Sequence, residues 1–130
     1  MRKVLIIDDS ATMLIHLRDI LANEGFDVLE ASDGEDALRV FDQHRNISLI
    51  VCDYNMPKLD GLSTLKLIFQ KCDGPKIPVL MVTTENSKTL KNEARKIGIA
   101  GWVVKPIDPD SFIVGVRAVL DKWAKKQGSS

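Results

Sequence analysis

The stretch ISLIVCDYNMPKLDGL, residues 47–62, changes character in the middle of a run. Leu49, Ile50, Val51 and Cys52 are continuously apolar, and Asp53 follows without transition. An uninterrupted apolar run reads as a strand buried on both faces, because a half-exposed strand would alternate. A carboxylate at its exit must reach water or meet a compensating charge. Pro57 and Gly61 then punctuate the chain before the next periodic segment.

The same form recurs on either side. VLII at residues 4–7 ends in Asp8-Asp9. The predicted strands are Val4–Ile7, Asp27–Ala31, Ser48–Cys52, Val79–Thr83 and Trp102–Val104. Between them the apolar residues take helical spacing: Leu14, Leu17 and Leu21, then Ala37, Val40 and Phe41. Leu62, Leu65 and Phe69, then Leu90, Ala94 and Ile97, continue it; Phe112, Val116, Val119 and Trp123 close the chain. Gly25, Gly74 and Gly98 fall where helices should stop. Asp108-Pro109 offers an N-cap and a first-turn proline to the last helix. Alternating strands and helices imply right-handed crossovers and an α/β doubly wound parallel sheet.

With 130 residues the chain fits one domain that can bury a substantial core. Residues 1–125 are expected to form it and 126–130 a frayed tail, with no output domain. Eighteen acids balance eighteen Lys and Arg, so there is no bulk attraction to nucleic acid or an anionic membrane. No apolar run approaches the ~20 residues of a membrane span, and the apolar run before Asp8 is only four residues long. The expectation is a cytoplasmic protein with no nucleic-acid or membrane partner. Cys52 and Cys72 form no metal-spaced pair, and Cys52 reads as a buried thiol.

Ligands of open α/β sheets bind beyond the carboxyl ends of the strands. The predicted strand ends carry Asp8-Asp9, Asp53, Thr83-Thr84 and Lys105-Pro106. Three acids, a hydroxyl and an ammonium therefore converge on one rim. Taken singly, each is an ordinary cap, turn or surface residue; their conjunction is what points to a site. Three adjacent carboxylates repel one another, and a bound divalent cation relieves this. Hard oxygen donors without His or Cys favour Mg²⁺, which asks for only one or two carboxylates. A further carboxylate beside a cation and Lys105 has the makings of a nucleophile toward phosphorus. Lys105 would face the developing charge, and Thr83 would donate to a phosphoryl oxygen.

These residues closely resemble those of a response-regulator receiver domain. The likeness rests on Asp8-Asp9, Asp53-Tyr-Asn-Met-Pro57, Asp60-Gly61, Met81-Val-Thr83, Glu85 and Gly101-Trp-Val-Val-Lys105-Pro106, in order along the whole chain. The single-domain chemotaxis receivers are the nearest group. The resemblance implies a flavodoxin-like (CheY-like) sheet of five strands in the order 2-1-3-4-5, with five helices. It also implies that Asp53 accepts a phosphoryl group from the phosphohistidine of a sensor histidine kinase, of chemotaxis type. Asp9, Asp53 and the Asn55 carbonyl would ligate Mg²⁺, with Asp8 helping through water. Lys105 would pair with the phosphoryl group, Thr83 would swing toward it, and the Lys105–Pro106 peptide would be cis. Asn55, Thr84 and Glu85 would tune the site. The protein is expected to be a monomer that meets a downstream target on its fourth helix, fifth strand and fifth helix, with the flagellar motor switch as one candidate.

Three departures from the chemotaxis pattern stand out. Trp102 replaces the usual tyrosine and lacks a hydroxyl, so the usual coupling is not assumed, and the indole reads either as part of the target surface or as a half-buried core residue. Thr84 stands where Ala, Gly or Ser is preferred, and its methyl would narrow access to Asp53. Lys88, Lys91, Arg95 and Lys96 make the fourth helix unusually basic, which suits a solvated face or an acidic target. His16 and His44 lack the companion helices of a phosphotransfer bundle. Two other functions share this chemistry. A phosphorelay intermediate would carry an identical site. An aspartyl-nucleophile phosphatase of the haloacid-dehalogenase kind would need a second acid two places after the nucleophile, where this chain has Asn55.

Overall fold

The computed structural model describes residues 2–44, 46–72, 74 and 76–128. Five strands alternate with five helices: β1 (Lys3–Ile7), α1 (Ala11–Asn23), β2 (Asp27–Ala31), α2 (Gly34–Gln43) and β3 (Ile47–Cys52) form the first half. Then come α3 (Gly61–Lys71), β4 (Val79–Thr83), α4 (Lys88–Ile97), β5 (Gly101–Val104) and α5 (Pro109–Gly128). All pairings are parallel, in the order β2-β1-β3-β4-β5. The expected flavodoxin-like topology is the one formed.

The continuous apolar runs do what a two-faced sheet requires. Val4, Ile6, Leu49, Val51, Leu80 and Val82 pack on one face with Leu17 and Leu21 of α1 and Phe112, Val116 and Leu120 of α5. Leu5, Ile7, Ile50, Cys52, Val79 and Met81 point to the other face, toward α2, α3 and α4. Because successive side chains alternate in direction, one tetrapeptide serves both layers. Fully burying each Leu, Ile or Val is worth about 1.5–3 kcal/mol, so these strands carry much of the stability.

Helix ends follow local chemistry. Ser10, Asp33, Asp60 and Ser87 each accept an N–H from the first turn of α1, α2, α3 and α4. Asp108 does the same for α5 through Ser111 N–H at 2.9 Å, which holds its carboxyl below the usual range. Gly98 closes α4 with φ +98°, a conformation that costs a β-carbon dearly. Some boundaries differ from the sequence reading. β1, β3 and β5 each start one residue earlier, at Lys3, Ile47 and Gly101. The expected tail from residue 126 begins inside α5, which runs on to Gly128; Lys125 and Lys126 in its last turn complement the helix dipole. Residues 129 and 130 lie outside the described residues. Among the described residues no helix is long and apolar enough to cross a membrane.

Candidate functional site

The strand order reverses at β1: the chain lays β2 on one side of it and returns to place β3 on the other. The loops leaving β1 and β3 therefore diverge, and a crevice opens between them. The residues after each strand are pinned by one more ladder-like bond. Asp8 N–H donates to Ala31 O at 3.1 Å, Asp53 N–H to Ile7 O at 2.9 Å, and Lys105 N–H to Thr83 O at 2.8 Å. The side chains of Asp8, Asp53 and Lys105 thus start from backbone held by the sheet rather than from a free loop.

Three carboxylates meet at this rim. Asp8, Asp9 and Asp53 each present an oxygen within 4.8 Å of the others. Asp8 is 1% exposed and Asp53 7%, while Asp9 is open to solvent. Lys105 Nζ stands 2.8 Å from Asp8 Oδ2 and 3.4 Å from Asp53 Oδ2. Three carboxylates against one ammonium leave a formal excess of two negative charges. Burial raises the Asp8 carboxyl above its ordinary range; Lys105 and the Ser10 N–H pull against this, and the charge of Asp53 adds to it. For Lys105 burial acts downward, but the bond to Asp8 and the charges of Asp8 and Asp53 outweigh it, so its ammonium is held more firmly than usual. The two directions have different causes: burial dominates at Asp8, and the neighbouring anions together dominate at Lys105.

Thr83 ends β4 fully buried, and its hydroxyl oxygen accepts Glu85 N–H at 3.4 Å. Thr84, next along the chain, is exposed. Asn55 Nδ2 donates to Glu85 Oε1 at 2.9 Å, joining the loops after β3 and β4. The Lys105–Pro106 peptide is cis. Gly61 N–H donates to Tyr54 O at 2.8 Å and seats the start of α3 against the Asp53–Tyr54 backbone. Trp102 is half-buried, and its Nε1–H donates to the Glu85 carbonyl at 2.9 Å. The missing hydroxyl therefore does not leave this position without a donor. Lys88 and Arg95 are exposed on α4 and Lys91 is half-buried. Lys91, Arg95 and Trp102 line a cavity of about 290 Å³ between α4 and β5.

The structure thus brings Asp8, Asp9, Asp53, Lys105, Asn55, Thr83 and Glu85 to one end of the sheet. Ser10 is an addition that the sequence reading does not single out. Its N–H donates to Asp8 Oδ1 at 2.9 Å while its hydroxyl caps α1 at Met13 N–H. The signal was a serine between the acid pair and a helical run, a capping pattern that also aims the acid.

The acid cluster suits a small hard cation. Its donors are all oxygens, its net charge is negative by two, and one member is open to solvent, which matches an ion that keeps some of its waters.

Comparison with known proteins agrees with this geometry. The profile of the response regulator receiver domain matches residues 4–117. Chemotaxis protein CheY1 of Helicobacter pylori is 35% identical over 119 residues, covering 91% of this chain and 96% of CheY1. The transcriptional regulatory protein CpxR of Escherichia coli is 33% identical over 129 residues, covering 98% of this chain but only 53% of CpxR. Among solved structures, CheY of Borrelia burgdorferi in its complex with CheX, BeF₃ and Mg²⁺ superposes with a TM-score of 0.85. It is 31% identical, with 91% of this chain and 88% of that one covered. With its sheet order, its rim of acids and its lysine, this chain belongs to the response regulator receiver domain family.

Proposed function

We propose that this chain is a phosphorylation-controlled switch of a two-component system, taking a phosphoryl group on Asp53 from a sensor histidine kinase, in a chemotaxis-type pathway. The observation that carries the reading is Lys105 Nζ set between Asp8 and Asp53, 3.4 Å from the oxygen of Asp53. In the transfer an Asp53 carboxylate oxygen forms a bond to phosphorus as the bond from phosphorus to the kinase histidine nitrogen breaks. The sheet holds the acid at the rim, so the attack is intramolecular once the donor docks. Lys105 keeps its proton and faces the negative charge that gathers on the equatorial oxygens. Thr83 supplies a hydroxyl that can turn from its present acceptor role to donate to a phosphoryl oxygen.

Asp8, Asp9, Asp53 and the Asn55 carbonyl would hold Mg²⁺. When bound, that ion screens the acids from one another and neutralises phosphoryl charge.

The switch has an adequate energy scale. Two charge-assisted hydrogen bonds, from Lys105 and Thr83, supply about 3–6 kcal/mol if formed only in the active state. A change from about 1:99 to 99:1 needs about 5.5 kcal/mol. The surface that changes is assigned to α4, β5 and α5, where Lys88, Lys91, Arg95 and Trp102 gather. Its cationic rim favours a target carrying carboxylates.

The test is capture of partners by protein locked with beryllofluoride and Mg²⁺, with Asp53→Ala as control. Retention of a motor-switch component supports the chemotaxis reading. Capture of a histidine phosphotransfer protein instead, with label moving from Asp53 to histidine, would make the chain a relay intermediate.

A further inference from the structure

The acid rim occupies the carboxyl end of the sheet. At the amino end, a strand length or about 17–20 Å away, Trp123 of α5 stands half-buried between two cavities. One, of about 240 Å³, is walled by residues at the entries to β1, β3 and β4, among them Arg2, Ile47, Lys76 and Pro78, with Leu120 of α5. The other, of about 280 Å³, is walled by Ile99 and Ala100 ahead of β5 and by Val119 and Lys122 of α5. The indole of Trp123 belongs to both.

The two cavities share one chemistry. Ile47, Pro78, Leu120 and Ile99 are buried and give them apolar walls. Arg2, Lys76 and Lys122 stand exposed around them and come from three separate segments. None of these three pairs with an acid among the described residues. Lysines in the last turn of α5 are accounted for by the helix dipole, but Arg2 and Lys76 lie on no helix. The Trp123 N–H has no acceptor among the described residues and is not shut away from solvent. An indole N–H is a donor only, and a half-buried one commonly finds a partner. Acids sit to one side: Glu24 and Asp121 line the next cavity along with Arg2, and Glu24 is engaged by Arg117 at 2.8 Å.

We propose that the amino end of the sheet is a docking site for a segment of a partner protein that carries a bulky apolar side chain between carboxylates. The apolar group fills a cavity against Trp123, and the carboxylates meet Arg2, Lys76, Lys122 and the indole N–H. Trp and Arg are the residue types on which binding energy commonly concentrates. A protein segment fits better than a nucleic acid, because a chain of zero net charge has no long-range pull on a polyanion. The site lies on the opposite end of the sheet from Asp53, so its occupancy is independent of phosphorylation. That separates it from the switch surface on α4 and β5, and its existence does not require Asp53 to be the phosphoacceptor.

The experiment titrates the isotope-labelled protein with the probe peptide EEDFLEE and follows backbone and indole N–H resonances by NMR. The Trp123 indole and the amides of Arg2, Lys76 and Lys122 are expected to shift, and those of Asp8 and Lys105 to stay. Trp123→Ala should weaken binding about tenfold or more. Lys76→Glu with Lys122→Glu changes only exposed side chains, so it tests the site even where loss of the indole disturbs α5; it should weaken binding about fivefold or more and flatten its salt dependence. Beryllofluoride with Mg²⁺ should leave the affinity unchanged. The proposal fails if no shift is seen at about 1 mM peptide, if the shifts fall on Lys88, Lys91 and Arg95 instead, or if EEDSSEE binds equally well. Tighter binding of a single-stranded oligonucleotide, or self-association abolished by Trp123→Ala, would assign the site to another occupant and overturn it too. A chain that takes no beryllofluoride would undo the phosphoacceptor reading and leave docking to be decided by the peptide.

Discussion

Gly61 lies against Asp53 backbone to backbone: a β-carbon at position 61 would overlap the Asp53 carbonyl oxygen and stand 3.0 Å from the carbonyl carbon. The start of α3 therefore braces the strand end that presents the acid. Gly61→Ala is expected to destabilise the protein by about 1–3 kcal/mol, the usual cost of overpacking, and to slow phosphorylation because the Asp53 backbone must shift. Urea denaturation alongside acetyl phosphate uptake measures both; an unperturbed alanine variant would mean that the loop yields freely.

Lys105 neutralises part of an acid cluster that includes the 1% exposed Asp8. Lys105→Ala should slow phosphorylation of Asp53 about 10²–10³-fold, as loss of a preorganised charge at a developing anion does. The same variant should bind Mg²⁺ more tightly, by about tenfold or more, because a competing cation has left. Phosphorylation kinetics and a Mg²⁺ titration read the two effects, which run in opposite directions; weaker Mg²⁺ binding would show that Lys105 organises the acids rather than competing for them.

Thr84 is exposed directly after the buried Thr83. Its extra methyl is expected to narrow access to a phosphoryl group on Asp53, so Thr84→Ala should lose that group faster than the parent. A decay assay decides this, and equal or slower loss in the variant would remove Thr84 from the site.

Asp36, in the first turn of α2, accepts Ser32 N–H at 3.1 Å and pairs with Arg39. Burial acts to raise its pKa, but these two donors outweigh it and hold the carboxyl below its ordinary range. A folded pKa below the unfolded one, about 3.9, gives stability that is present above the unfolded value. That stability is lost as pH falls through the folded one. Asp36→Asn should therefore cost about 1 kcal/mol at neutral pH, with the gap closing as pH falls below the unfolded value and through the folded one. Denaturation at several pH values checks it; a gap that persists in acid would assign the loss to packing.

The strands were readable because VLII and LIVC have to be buried on both faces, and the site because its acids and lysine all sit where such strands end. Paired backbone is blind to side chains, so Lys3 joins β1 despite its charge. Gly101 begins β5 opposite Leu80, whose Cδ1 would stand 2.7 Å from a β-carbon there. The glycine reads as a break in the sequence but is what lets Leu80 close on the strand. The indole bond to the Glu85 carbonyl was also illegible. A backbone acceptor leaves no mark in residue types, and the sequence shows only that a hydroxyl is missing at position 102.

All of these expectations presuppose that a rim of distant acids, with Lys105 at 2.8 Å from Asp8, makes Asp53 reactive toward phosphorus. The most direct measurement is the intact mass of the protein after acetyl phosphate and Mg²⁺, under conditions that preserve an acyl phosphate, beside Asp53→Ala and an EDTA control. The account expects the parent to gain the mass of one phosphoryl group and both controls to gain none. An unchanged parent mass, or the same gain in Asp53→Ala, would contradict it.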